Sequence, residues 1–291
     1  MWLKCTPYVA VARADSPVGP FDLVARWRAE AQGDVGDLTA FMDPLSSRGY
    51  VVYSLKMARR QRNETVLGLT APPGPVRKSP TPGGAWSGPV GKGRTTADGP
   101  AMAASAGAPA AAPTTRLLRI RMLRADLLNF TAHFTSAEAS AGDAPEDAVA
   151  TISAAREAPA LFFEPSLGRY FLWCSRATGW KANAAEVYSA SALSGPWRSE
   201  GNPTRHPTSF DSQSTYVLPV TGMDGRARFI YVADRFEPFI SGPLCGANLC
   251  ESGRYVWLPI DVMAAPAGAM ATGGGGALRV SWRGSWKPNE L

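Results

Sequence analysis

Histidine is almost absent from this chain: His133 and His206 are the two present among 291 residues. Cysteine is nearly as scarce, with Cys5, Cys174, Cys245 and Cys250, and neither a CxxC pair nor a Cys/His cluster occurs. That argues against a structural zinc site and leaves no legible metal-ligand set. Cys245 and Cys250 share the loop "CGANLC". A small disulfide in an oxidising compartment and two free thiols in a reducing one are equally open readings. No apolar run reaches the length of about 18 residues that a membrane-spanning helix needs, so no membrane partner is expected. The N-terminal stretch "MWLKCTPYVAVARADSP" has no apolar core of signal-peptide length and passes at once into strand-like alternation. Amphipathic stretches of helical period are also missing; "LRADLLNFTAHF" is the best helix candidate, and it is short.

What is present is a basic, otherwise ordinary globular composition, with a net charge of +6, a pI near 9.3 and 45% hydrophobic residues. The basic residues do not gather on one periodic face. Many fall in "KMARRQRNE" and "PVRKSPTPGGAWSGPVGKGR". The electrostatic footprint of a nucleic-acid binder requires clustering on a folded face, so nucleic acid is not the expected partner.

Residues 71–115 are Pro, Gly, Ala and Ser with almost no large aliphatic side chain. Such a segment buries too little apolar surface to offset its ordering entropy and is expected to be a disordered insertion. It divides the chain into 1–70, 71–115 and 116–291, the outer two carrying the fold. "SAEASAGDAPEDAVATISAA" is expected as an exposed loop and "AAPAGAMATGGGGA" as a flexible turn. Between these lie short runs rich in Val, Ile, Tyr, Phe and Trp: "YVAVARA", "GYVVYSL", "TRLLRIRML", "APALFFE", "RYFLWCS", "AEVYSAS", "STYVLPV", "RFIYVAD", "RYVWLPIDV" and "ALRVSWRG". Gly, Pro, Asp and Ser bound them, which makes this an all-β chain of roughly a dozen strands. One unit repeats. "VARADSPVGPF" at 11–21 and "VYSASALSGPW" at 187–197 share a Val, an Ala three residues on, and Gly-Pro-aromatic at the same spacing. Radial repetition of four-stranded sheets reuses such units, as a sandwich also can.

Six motifs then fall in one order: "GDLTAF" (36–41), "REAPALF" (156–162), "ATGWKANAAEVYSASALSGPW" (177–197), "FDSQSTYVLPV" (210–220), "ADRF" (233–236) and "GRYVWLPIDV" (253–262). In that order and spacing the chain resembles glycoside hydrolase family 43, most closely its galactan 1,3-β-galactosidase (exo-β-1,3-galactanase) branch. The resemblance implies a five-bladed β-propeller with a central funnel, and hydrolysis of β-1,3-galactan or a related plant or algal polysaccharide with inversion. An inverting glycosidase needs a protonated carboxylic acid for the leaving oxygen and a group across the sugar that activates water. By resemblance Glu157 is the general acid, Asp37 the carboxylate that tunes its pKa, and Gln213 the residue on the water side. Asp211, two residues before Gln213, is a possible substitute base if both lie on one strand face. Thr178, Trp180 and Asn183 look like sugar-binding residues, since an indole stacks on a pyranose and short polar side chains take hydroxyls. Trp257 and Tyr255 are read as packing within a blade. The Asp234–Arg235 pair either holds the funnel floor or closes a turn.

Five four-stranded blades need about twenty strands. The family's first blade would precede "YVAVARADSPVGPF", and only seven residues do. An incomplete propeller of three to four blades with disordered insertions is therefore expected. A catalytically inactive carbohydrate-binding propeller is the alternative to the hydrolase, and a basic, partly disordered interaction protein is a third class. The resemblance also implies an extracellular monomer without a redox cofactor. Some relatives hold calcium in the channel, but no ligands for it are legible here.

Overall fold

The structure, a computed structural model, describes residues 2–5, 8–30, 33–57, 115–131, 148–152, 155–179, 181–235, 254–263 and 277–290, all within one compact unit. Fifteen strands occur among these residues, in four antiparallel sheets each wound in chain order. The first sheet holds β1 (Trp2–Cys5), β2 (Tyr8–Arg13) and β3 (Asp22–Arg28). The second holds β4 (Asp34–Met42), β5 (Gly49–Met57), β6 (Thr115–Met122) and β7 (Ala148–Ile152). The third holds β8 (Arg156–Glu164), β9 (Arg169–Arg176), β10 (Glu186–Ala190) and β11 (Arg198–Gly201). The fourth holds β12 (Gln213–Thr221), β13 (Ala227–Arg235), β14 (Arg254–Val262) and β15 (Leu278–Arg279).

All ten runs read from the sequence contain a strand, though in "ALRVSWRG" it is only Leu278–Arg279. The five that composition did not reveal are β1, β3, β4, β7 and β11. Two of these, β3 and β11, are exposed outer strands whose charge and polarity mask the alternation while guarding a sheet edge. The sequence repeat maps onto one supersecondary unit used twice, since β2–β3 and β10–β11 each enclose a turn with a cis Gly-Pro bond, Gly19–Pro20 and Gly195–Pro196. Gly195 has φ +90°, and a Cβ there would stand 2.9 Å from the Trp197 nitrogen, so this turn requires glycine.

Period-two alternation places the core between successive sheets. Along β9, Phe171 and Trp173 face the fourth sheet, while Tyr170, Leu172 and Cys174 face the second. Trp173 stacks on Tyr231 at 4.6 Å and Phe162 lies 4.8 Å from Phe229. Each such side chain contributes roughly 1.5–3 kcal/mol by leaving water. Between the first and second sheets the layer is partly ionic. Glu30 accepts from Tyr53 Oη and, at 2.5 Å, from Arg119 Nη1; Arg121 donates to the Ala29 carbonyl at 2.5 Å and lies over the Phe130 ring. The alternating arginines of "RLLRIR" are thus buried and paired.

Four expectations are corrected. "LRADLLNFTAHF" is not a helix where it is described: Leu123 and Phe130 pair across a turn. Asp126 and Asn129 side chains bond the local backbone and Leu127 adopts φ +58°, which competes with helical geometry. Within the stretch expected as an exposed loop, Ala148–Ile152 pairs with β6 as the outer strand β7. Tyr255 and Trp257 do not pack inside the fourth sheet but stand 70% and 50% exposed on β14. Asp211 does not share a strand with Gln213; it lies before β12 in a turn, at φ +58°. Residues 71–114, Cys245, Cys250 and all of "AAPAGAMATGGGGA" but its last residue, Ala277, lie outside the described residues. Among the described residues no helix is long and apolar enough to cross a membrane.

Candidate active site

The leading strands of the last three sheets, β4, β8 and β12, pack side by side, with β8 touching both of the others. Each carries a β-bulge near its first residues: between Val35 and Leu38, between Glu157 and Ala160, and between Ser214 and Tyr216. A bulge re-aims side chains at the end of a strand. The three bulges surround a cavity of about 470 Å³, large enough for one or two sugar rings, onto which Asp37, Glu157, Gln213 and Asp234 open.

Local features mark two of the bulges. On β4, Gly36 precedes Asp37, and any side chain at Gly36 would overlap the Ser54 hydroxyl. On β8, Ala158 takes φ +53°, a conformation that costs a non-glycine residue about 1–3 kcal/mol. It is held from both sides. Its N–H donates to Asp37 Oδ2 at 3.2 Å, and its carbonyl accepts from Ser214 Oγ at 2.8 Å. The polar residues of the two flanking strands therefore fix the peptide beside Glu157.

Glu157 is 8% exposed. Its Oε2 accepts from Arg116 Nη1 at 2.6 Å and its Oε1 from Gln213 Nε2 at 3.2 Å. Burial holds its carboxyl above the usual glutamate range; Arg116 opposes the rise, Asp37 adds to it, and the Gln213 hydrogen bond and Lys56 weigh against it. Gln213 Nε2 also donates to Ser175 Oγ at 2.8 Å, so both amide hydrogens are committed and the amide oxygen remains as an acceptor. Asp234, directly opposite Gln213 in the β12–β13 register, is pushed upward by burial.

Asp37, Glu157 and Gln213, far apart in the sequence, are thus brought together. Thr178 and Asn183 do not line the cavity; they tie down the loop between β9 and β10. Asn183 exchanges hydrogen bonds with both the N–H and carbonyl of Arg176 and donates to Thr178 Oγ1, which itself donates to the Lys181 carbonyl. That loop presents Gly179 to the cavity, while Trp180 lies outside the described residues. Asp211 is turned away, accepting from Thr208 Oγ1 at 2.7 Å and pairing with Arg235 at 3.5 Å; Arg235 in turn lies over Trp282. Of the Asp234–Arg235 pair, only Asp234 opens on the cavity. Lys56, Arg116 and Ser175 were not read from the sequence, whereas the funnel-floor reading of Asp234–Arg235 fits Asp234 alone. The available signal for Asp234 was a carboxylate ending the apolar run "FIYVA". Among the described residues no cluster of three His, Cys, Asp or Glu could hold a metal ion.

A buried carboxyl with a raised pKa, facing a polar cavity of sugar size, can deliver a proton to an ether oxygen. Comparison with solved structures bears on the fold. An exo-β-1,3-galactanase from Clostridium thermocellum matches with TM-score 0.56 and 18% identity, over 94% of this chain and 42% of that one. An exo-β-1,3-galactanase from Phanerochaete chrysosporium with β-1,3-galactotriose matches with TM-score 0.52 and 22% identity, over 88% and 40%. A GH43 β-1,3-galactosidase with galactodeoxynojirimycin matches with TM-score 0.54 and 18% identity, over 96% and 68%. The chain spans about two fifths of the length of the first structures it matches. No protein-family model matches the sequence, and no curated protein sequence matches it significantly. The chain has the fold of the GH43 exo-β-1,3-galactanases.

Proposed function

We propose that the protein hydrolyses β-1,3-linked galactosides with inversion, acting on an oligosaccharide or polysaccharide chain as a monomer. The four sheets are read as consecutive blades of a propeller of the five-bladed type, with the cavity as part of its funnel. The observation that carries this reading is Glu157: buried at the cavity wall, raised in pKa, and set between Asp37 and Gln213. Glu157 gives its proton to the glycosidic oxygen as the C–O bond breaks. Asp37 keeps that proton on Glu157 by its negative charge and fixes the strand through the Ala158 N–H. Gln213 directs water with its free amide oxygen. Sugar binding is assigned to Trp180, Thr178 and Asn183 on the resemblance of their motif.

A second reading, a carbohydrate-binding protein without turnover, is favoured by one observation. Arg116 stands 2.6 Å from Glu157 and stabilises the ionised carboxylate, which has no proton to give. Incubation with β-1,3-galactotriose, alongside Glu157→Gln, separates the two. Galactose released by the wild type alone supports hydrolysis; binding by both without release supports the second reading.

A further inference from the structure

We infer that Asp234 is the general base of this site, the group that takes the proton from the attacking water, with Gln213 only orienting that water. The inference rests on the hydrolase reading above and supplies what it lacks, since an amide is too weak a base to remove a proton.

Three observations carry it. Gln213 and Asp234 are direct cross-strand partners, so their side chains emerge on one face of the sheet, and both open on the cavity that holds Glu157. Gln213 has spent both amide hydrogens on Glu157 and Ser175, which leaves its oxygen to accept one hydrogen from a water and nothing with which to remove the other. Asp234 is partly buried, yet its carboxylate makes no hydrogen bond or ion pair with any described residue. A desolvated carboxylate without a partner is costly, and at a cavity wall it calls for a ligand that donates hydrogen bonds. Its chain neighbour Arg235 is engaged by Asp211 and Trp282. The charged groups sharing the cavity are Asp37 on β4, Lys56 on β5, Arg116 on β6 and Glu157 on β8. Of these, Arg116 is paired with Glu157. Burial raises Asp234, which makes it the stronger base.

The step balances. The water oxygen bonds to the anomeric carbon while the glycosidic bond breaks, its electron pair passing to the leaving oxygen. That oxygen takes the proton of Glu157, and the proton released by water passes to Asp234. Exchange with solvent returns both groups to their starting states. Glu157 is hydrogen-bonded to Gln213, and Asp234 is the cross-strand partner of Gln213 on the same cavity; an inverting pair needs room between its two groups for a water.

The test compares wild type, Glu157→Gln, Asp234→Asn and Asp234→Ala on β-1,3-galactotriose and on an aryl β-galactoside with a good leaving group, with melting curves confirming the fold. Asp234→Asn is expected to lose at least about 100-fold in kcat on both substrates. Glu157→Gln is expected to lose activity on the trisaccharide and keep it on the aryl galactoside. Azide should restore Asp234→Ala by attacking the anomeric carbon itself, giving α-galactosyl azide, and should not restore Glu157→Gln on the trisaccharide. The acidic limb of the wild-type kcat profile should vanish in Asp234→Asn. An Asp234→Asn enzyme with wild-type kcat and both limbs intact, or one changed in KM alone, overturns the assignment of Asp234 while leaving the hydrolase reading standing. A folded wild type that cleaves neither substrate overturns the hydrolase reading and this inference with it.

Discussion

Replacing Arg116 by Met tests the electrostatics of the site most sharply, because Arg116 is the strongest influence holding the Glu157 pKa down. The guanidinium and carboxylate meet at 2.6 Å, with side chains 18% and 10% exposed. Two unit charges about 4 Å apart at an effective dielectric of about 20 attract by about 4 kcal/mol. The open side of the cavity admits solvent, and a reduction to about 1.5 kcal/mol is reasonable for a pair that is not fully enclosed. That is about one pH unit. The sign is fixed: a general acid works while protonated, so activity falls as pH rises through the Glu157 pKa. Removing the arginine raises that pKa and moves the alkaline limb of kcat/KM upward by about one unit. Asp37→Asn removes a charge that pushes Glu157 up, so its limb moves the opposite way. Carboxyl-carbon NMR titration of the labelled protein, assigned with Glu157→Gln, reads the same shift without turnover. A Glu157 pKa that stays fixed or falls in Arg116→Met would refute the reasoning.

Other outcomes follow from the same geometry. Gly36→Ala should destabilise the fold by about 1–3 kcal/mol through overlap with Ser54 Oγ, and Ser54→Ala in the same chain should restore most of it, as read in a urea-denaturation double-mutant cycle. Glu30→Gln leaves Arg119 and Arg121 without their buried countercharge and should cost about 3–5 kcal/mol by chemical denaturation. Asn183→Ala frees the loop that presents Gly179, so KM should rise severalfold with a smaller change in kcat in steady-state assays. Because the folded Glu157 pKa is raised, its stabilising contribution is complete below the unfolded value of 4.5 and is lost as pH rises through the folded value. Wild type should therefore lose thermal stability relative to Glu157→Gln on going from pH 4.5 to neutrality.

Legibility in the sequence followed burial. Strands buried on both faces, such as β5, β8 and β9, are near-continuous apolar runs that declare themselves. The outer strands β3 and β11 carry Asp, Glu and Arg because their edges face water, and they look like loops. Motif resemblance placed Asp37, Glu157 and Gln213 in one site although 121 residues separate Asp37 from its partner Ala158, a proximity no local pattern encodes. Asp211 misled for a specific reason. Period-two counting back from Gln213 presumes a strand, whereas Ser209, Phe210 and Asp211 all take positive φ and turn the carboxylate outward. Asp234 stayed open between funnel floor and turn because its cross-strand pairing with Gln213 depends on the β12–β13 register, which the bulge at Thr215 shifts. Arg119 and Arg121 could be read as surface charge from sequence alone, since burial of alternate arginines depends on Glu30, 89 residues from Arg119.

The proposed role of Glu157 is to deliver a proton in an inverting hydrolysis. The most direct measurement is proton NMR of the anomeric region during cleavage of β-1,3-galactotriose by folded protein. In that role α-galactose appears first and equilibrates to the β anomer afterwards, with no signal from Glu157→Gln. First appearance of β-galactose, equal release by Glu157→Gln, or no release from a folded wild type that binds the trisaccharide would contradict it.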